Sequence, residues 1–180
     1  MKAWQKLDSR SVFRNPVLEL HQERVRTPRG DETDWTVVEI GDGVCVVPLR
    51  PDGGVHMIRQ YRHAVGEWVL EFPAGRVEPG EDPEAAGRRE LAEEAGLEAD
   101  AWQGLGAFWP LDGVCRHRIH LFLARGLTPT APGHETFEAI EPRDFGPEAL
   151  RDALEVGDIR CGIALAALAR VFLVHSEGAS

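Results

Sequence analysis

Residues 75–97 read Gly75-Arg-Val-Glu-Pro-Gly-Glu81-Asp-Pro-Glu-Ala-Ala-Gly-Arg-Arg89-Glu90-Leu91-Ala-Glu93-Glu94-Ala-Gly96-Leu97. Punctuation marks out a helix here: Asp82 suits the N-cap, Pro83 the first helical position, and Gly96 the stop. At about 100° per residue, Glu90 and Glu94 fall roughly 40° apart, with Glu93 about 60° to the other side. Leu91, Ala92, Ala95 and Ala85 gather opposite, where they can pack on a sheet. One face is therefore core and the other carries three carboxylates. Like charges four residues apart repel mildly, and these sit near the helix C-terminus, where the dipole disfavours anions. Broken local rules without structural gain point to function. A hard divalent cation resolves the conflict, because Mg2+ and Mn2+ prefer oxygen ligands. The plain alternative is a solvated glutamate face, with Arg89 pairing to Glu93 as surface decoration.

Working outward, Val44–Leu49 and Val55–Arg62 are apolar runs flanking Pro51-Asp52-Gly53-Gly54, which predicts a hairpin. Trp68–Phe72 predicts a short strand, and further strands fall around Ala101–Phe108 and Ile119–Ala124. Upstream, Val17–Val25 and Trp35–Ile40 flank the turn-rich Thr27-Pro28-Arg29-Gly30-Asp31, so residues 1–40 are expected to form a separate antiparallel β layer, with 41–180 as the main domain. The last third predicts helices over Pro147–Val156 and Ile159–His175. Strands and helices mix without regular alternation, which makes the class α+β.

Composition narrows the function. A formal net charge of −10 argues against a general nucleic-acid binder. An anionic substrate must then be met by a local basic patch or by cations. Cys45, Cys115 and Cys161 are odd in number and lack CxxC spacing, which reads as free thiols in a reducing, cytoplasmic setting. The first residues lack the continuous apolar stretch of a leader. The apolar segment Ile163–Val174 is too short to span a bilayer, so no membrane role is expected. His21, His56, His63, His120 and His175 show no ligand spacing.

The order Gly, five residues, Glu, seven residues, Arg-Glu-Leu, one residue, Glu-Glu, one residue, Gly-Leu resembles the signature of the Nudix hydrolases at every defined position from Gly75 to Leu97. Gln60-Tyr61-Arg62, Leu70-Glu71-Phe72-Pro73-Ala74-Gly75 and Ile119–Ala124 are similar to the ADP-ribose and nucleotide-sugar pyrophosphatase branch. The resemblance implies the Nudix fold, a mixed β-sheet sandwiched by helices, and hydrolysis of a nucleoside diphosphate joined to a ribose or sugar. It implies Glu90 and Glu94 as the main Mg2+ or Mn2+ ligands, Glu93 beside them, the carbonyl of Ala74 as a further ligand, and Glu81 orienting the cluster. Arg89 would hold the carboxylates, Gly75 would be a position where a side chain is awkward, and Arg62, with Gln60 on the same strand, would meet the substrate phosphate. A homodimer is implied too, with Trp35 of the N-terminal layer stacking on the base.

One loop departs from that branch. Where Ser-Pro-Gly and then a glutamate are usual, residues 110–119 read Pro110-Leu-Asp112-Gly-Val-Cys115-Arg116-His117-Arg118-Ile119. His117 takes the glutamate's place, so the general base is open among His117, Glu93, Glu135 and Glu138. Arg116, His117 and Arg118 form a basic cluster suited to an anion. Competing readings are a nucleoside triphosphate hydrolase and a non-catalytic nucleotide sensor.

Overall fold

A computed structural model describes residues 3–131, 133 and 139–177, the last four of them by backbone alone. The chain divides into two compact units, residues 1–42 with 109–118, and residues 43–108 with 119–180. Sequence patterning drew a boundary near 40 and kept the 110–118 loop with the main domain; the structure groups that loop with the first unit.

The first unit is one sheet in the order β1 (Gln5–Arg14), β2 (Glu19–Arg26), β3 (Glu32–Glu39) and β9 (Cys115–Arg116). Strands β1 to β3 form an antiparallel meander. Its first turn is tied by the Asn15 side chain, whose Oδ1 accepts from the amides of Val17 and Leu18, each at 2.8 Å. Gly30, at φ 100°, turns the second. The two strands expected around Val17–Val25 and Trp35–Ile40 are β2 and β3. Strand β1 carries no apolar alternation and is exposed along its whole length, so patterning did not reveal it. Strand β9 joins β3 in parallel, at Val38↔Cys115 and Glu39↔Arg116.

The second unit holds two sheets and three helices. Strand β4 (Gly43–Pro48) lies between β7 (Ala74–Arg76) and β10 (Ile119–Pro129), with β8 (Leu97–Phe108) outermost. The other sheet runs β11 (Ile140–Phe145), β5 (Val55–Arg62), β6 (Glu67–Glu71). All six residues of β4 are buried, since both its faces are covered. Val44 and Val46 pack in a cluster with Ala86 and Leu91 of α1 (Pro83–Ala95). Cys45 and Val47 pack in a second cluster with Phe72, Leu121 and Leu168, the last from α3 (Gly162–Glu177). Helix α2 (Pro147–Glu155) adds Leu150 and Ala153 to that cluster.

The hairpin expected at residues 44–62 is corrected by this arrangement. Its turn forms, with Gly53 donating to the Arg50 carbonyl at 3.0 Å and Arg50 to that of Gly54 at 2.8 Å. Beyond one bridge, Leu49↔Val55, the strands part into different sheets. Burial of β4 on both faces is served by parallel pairing with β10, from Gly43↔Ile119 to Pro48↔Ala124. Helix α1 has the bounds its caps dictated: Asp82 accepts from the amides of Glu84 and Ala85, and Gly96 closes it in the left-handed conformation. Helix α3 starts at Gly162 rather than at Ile159, whose side chain is spent as a buried plug in the linker. The α+β class stands, with the main sheet divided in two. Among the described residues, no helix is long and apolar enough to cross a membrane. Cys45, Cys115 and Cys161 are free thiols.

Candidate active site

The carboxylate helix departs from its expected faces in one respect. Its buried stripe is Ala86, Gly87, Glu90, Leu91 and Glu94, while Ala85, expected in the core, is exposed. Glu90 and Glu94 are only 9% and 3% exposed. They continue the packed face instead of lying opposite to it, so the solvated-glutamate alternative fails for these two. Gly87 allows this seating. A Cβ there would meet Val46 at 3.1 Å and both Trp102 and Val44 at 3.3 Å, so the helix lies close against β4, and a side chain would have to push its neighbours back by a few tenths of an ångström.

Buried carboxylates need partners. The amide of Ala74, on β7, donates to Glu94 Oε2 at 2.8 Å. Arg89 binds the others: Nη1 donates to Glu90 Oε1 at 2.7 Å and to Glu93 Oε2 at 3.2 Å, while Nε and Nη2 donate to the two oxygens of Glu81, both at 3.2 Å. Nη2 also reaches the Arg76 carbonyl at 3.0 Å. Hydrogen bonds to Glu81 above all, then to Glu90 and Glu93, push the Arg89 guanidinium well above its ordinary value. Glu81 is held below the usual carboxylate range by Arg89 first and by the Glu78 amide second. The Arg89–Glu93 pair is present, within a larger lattice than surface decoration would give.

Arg62, Ala74, Arg89, Glu90, Glu93 and Glu94 line a cleft of about 250 Å³, with Gly75 in its wall. A Cβ at Gly75 would lie 1.9 Å from Glu90 Oε1, so the Glu90 carboxylate fills the space that a side chain would take. The donor set is hard oxygen at the edge of an open polar cleft, which suits a divalent cation of the Mg2+ type. Among the described residues, no three acidic, histidine or cysteine side chains converge as a ready-made cation cage. Arg89 links Glu81, Glu90 and Glu93 instead.

Arg62, at the end of β5, is placed by Glu71. Its Nε and Nη2 donate to Glu71 Oε2 at 2.9 and 2.6 Å. Burial works against the Arg62 charge, but the hydrogen bond and charge of Glu71 outweigh it and hold the group above its ordinary value. Glu71 was missed as a site residue. The signal for it was the hairpin pattern, since an antiparallel turn at residues 63–66 sets Arg62 and Glu71 on one face. Arg76 and Glu78 line the cleft as well and were likewise missed. Gln60 is 4% exposed, its Oε1 has no hydrogen-bond partner, and it is not among the residues lining the cleft.

The remaining candidates belong to the first unit. Arg116 donates to both oxygens of Glu23 at 2.8 and 2.9 Å, and Arg118 to Asp42 Oδ2 at 3.1 and 2.5 Å. An anion at this cluster would have to compete with those carboxylates. His117 Nδ1 lies 2.6 Å from the Gly41 carbonyl, which makes it the donor and leaves Nε2 as the acceptor in the neutral ring. Trp35 is half exposed and meets Trp4 edge to face at 5.5 Å. Glu135 and Glu138, two of the candidate bases, lie outside the described residues, as does the side chain of His175.

A family profile described as the NUDIX domain matches residues 39–160. The chain belongs to the Nudix family. Among its Nudix relatives, the ADP-ribose pyrophosphatase of Bacillus subtilis is 32% identical over 149 residues, covering 83% of this chain and 80% of the relative. The ADP-ribose pyrophosphatase of Mycobacterium tuberculosis is 33% identical over 172 residues, covering 93% and 83%. A solved structure described as an ADP compounds hydrolase superposes with a TM-score of 0.88 over 99% of this chain and 97% of that one. Its identity is 20%, so this last likeness speaks for the Nudix fold alone.

Proposed function

We propose that this Nudix chain hydrolyses the diphosphate bridge of a nucleoside diphosphate joined to a ribose or sugar, with ADP-ribose the foremost candidate and sugar nucleotides such as GDP-mannose next. The observation that carries the reading is the pair of buried carboxylates, Glu90 and Glu94, at a polar cleft whose opposite requirement, a phosphate-binding guanidinium, is met by Arg62. Relatives named ADP-ribose pyrophosphatase along most of the chain support the substrate class.

The charges set the division of labour. A carboxylate cluster repels a diphosphate, so Arg62 alone cannot seat it. Glu90 and Glu94, with Glu93, Glu81 and the Ala74 carbonyl in support, would hold a divalent cation, Mg2+ or Mn2+, which when bound would supply charge neutralisation of the diphosphate and a more acidic water. Arg62 offers its planar fork to a phosphate oxygen pair, oriented by Glu71. Arg89 holds Glu81, Glu90 and Glu93 in place. Glu93, whose side chain is 42% exposed at the cleft, accepts the proton of the attacking water. The water oxygen bonds to one phosphorus, the bridging oxygen departs on the other phosphate, and the products are a nucleoside monophosphate and a sugar phosphate.

The first unit supplies the reading's second half, a cytoplasmic homodimer in which exposed Trp4, Phe13 and Trp35 meet a second copy or the base. Arg116, His117 and Arg118 are proposed as further substrate contacts. The test is Glu94→Gln with ADP-ribose and Mg2+: turnover should collapse while the melting temperature holds. A variant with intact turnover would remove Glu94 from the chemistry.

A further inference from the structure

A second cavity of the same unit, of about 570 Å³, opens between β6 and the start of α3. Its volume falls within the range of small-molecule sites, about 300–1,000 Å³. Val69 and Ile163 give it apolar walls, Glu67 and Glu71 two carboxylates, and Arg160 a second guanidinium beside Arg62. Each carboxylate is matched: Arg62 to Glu71 at 2.6 Å and Arg160 to Glu67 at 2.6 Å. Arg62 lines this cavity and the carboxylate cleft alike.

We infer that this cavity is the subsite for the glycosyl end of the substrate, with Glu67 and Glu71 accepting from sugar hydroxyls and Val69 and Ile163 lying under the ring. This rests on the diphosphate-hydrolase reading and deepens it. Three observations favour a sugar here over a nucleoside or a third phosphate. Among the described residues, no aromatic ring lines the cavity, so a base would find no stacking platform there. Two carboxylates balance two guanidiniums, which suits an uncharged, hydroxyl-rich group more than an anion. A carboxylate has about four acceptor positions, so one already bonded to an arginine can still take hydroxyl donors. Arg62 as shared wall places the diphosphate and the sugar on two sides of one residue, so a substrate bound this way would read Arg62 twice. Cys161 also lines the cavity, half-buried, its thiol pushed up by burial first and by nearby Glu71 as well. It contributes bulk to the wall, not a nucleophile.

Calorimetric binding of the two product halves to the full chain separates the subsites. Ribose 5-phosphate and AMP are titrated separately into the wild type, Cys161→Trp, which fills the cavity, and Glu67→Gln, which removes a carboxylate at its edge. The ribose 5-phosphate Kd should rise about 10-fold or more in Cys161→Trp and about 3- to 10-fold in Glu67→Gln, the scale of one or two lost hydrogen bonds, while that of AMP stays within about 2-fold. Should Cys161→Trp fail to fold, Glu67→Gln, altered at a half-exposed ion pair, decides alone. Weakening of AMP instead would make the cavity a nucleoside site, and no change in either, or no binding of ribose 5-phosphate by the wild type, would equally overturn the inference. Failure of the parent reading looks different: the wild type would release no nucleoside monophosphate from ADP-ribose, ADP-glucose or GDP-mannose.

Discussion

Gly75→Ala separates the chemistry from the fold more sharply than any change to a charged residue. The new Cβ would stand 1.9, 2.2 and 2.6 Å from Oε1, Cδ and Oε2 of Glu90. Ordinary contact lies near 3.5 Å, so the carboxylate must retreat by about 1.5 Å. Gly75 is not among the positive-φ glycines, so alanine meets no backbone strain there. Glu90 can swing on its own torsions, and the fold loses the 2.7 Å bond to Arg89. That costs about 1–2 kcal/mol, or roughly 2–8 °C in melting temperature for a chain of this size. A displacement of about 1 Å in a catalytic group can cost on the order of 100-fold, so kcat/KM for ADP-ribose should fall at least about that far. Steady-state AMP release well below the melting temperature, beside a thermal melt, measures both. Activity within about 3-fold of wild type would refute the placement of Glu90 in the chemistry.

Other substitutions probe the remaining parts. Glu94→Gln keeps an oxygen for the Ala74 amide, so the melt should move by no more than a few degrees while turnover falls on the order of 100-fold or more. Arg62→Lys retains the charge beside Glu71 but loses the planar fork; KM should rise on the order of 10-fold, with kcat less affected. Acid unfolding reports on the first unit. Burial would raise the Glu23 carboxyl, yet Arg116 and then Lys6 hold it below 4.5. Its stabilisation is thus full above pH 4.5 and is lost as pH falls through the lower folded value. Arg116→Met should cost about 1 kcal/mol near neutrality, discounted for the half-exposed arginine, and should move the acid midpoint upward in a circular-dichroism titration. An unchanged midpoint would remove that pair from the stability of the sheet.

What was legible in the sequence was local. Asp82, Pro83 and Gly96 act within one turn of themselves, and α1 has the bounds they set. The Thr27–Asp31 and Pro51–Gly54 turns formed for the same reason. Partner choice was illegible, because β4 is satisfied by β10, some seventy positions further along the chain, and nothing within 44–62 encodes that pairing. The Glu23–Arg116 bond, 93 residues apart, was hidden likewise, and with it the membership of the 109–118 loop in the first unit. Helical angles put the glutamates on one arc. They could not tell that Gly87 lets the helix settle so close to β4 that Glu90 and Glu94 are buried with it. Glu71 stood in plain view beside the signature, but the register pairs it with Ile58 and pairs Arg62 with Glu67, so only the side-chain hydrogen bonds show that Arg62 reaches it.

The most direct test of the central claim is product analysis of a substrate panel by ³¹P NMR with Mg2+, before and after chelation. The panel holds ADP-ribose, ADP-glucose, GDP-mannose and the nucleoside triphosphates. A monophosphate and a sugar phosphate should form from at least one diphosphate conjugate, in preference to any triphosphate, with turnover lost on chelation and restored by Mg2+ or Mn2+. Turnover confined to triphosphates, turnover that survives chelation, or silence across the panel with metal binding intact would contradict the claim, the last in favour of a nucleotide sensor.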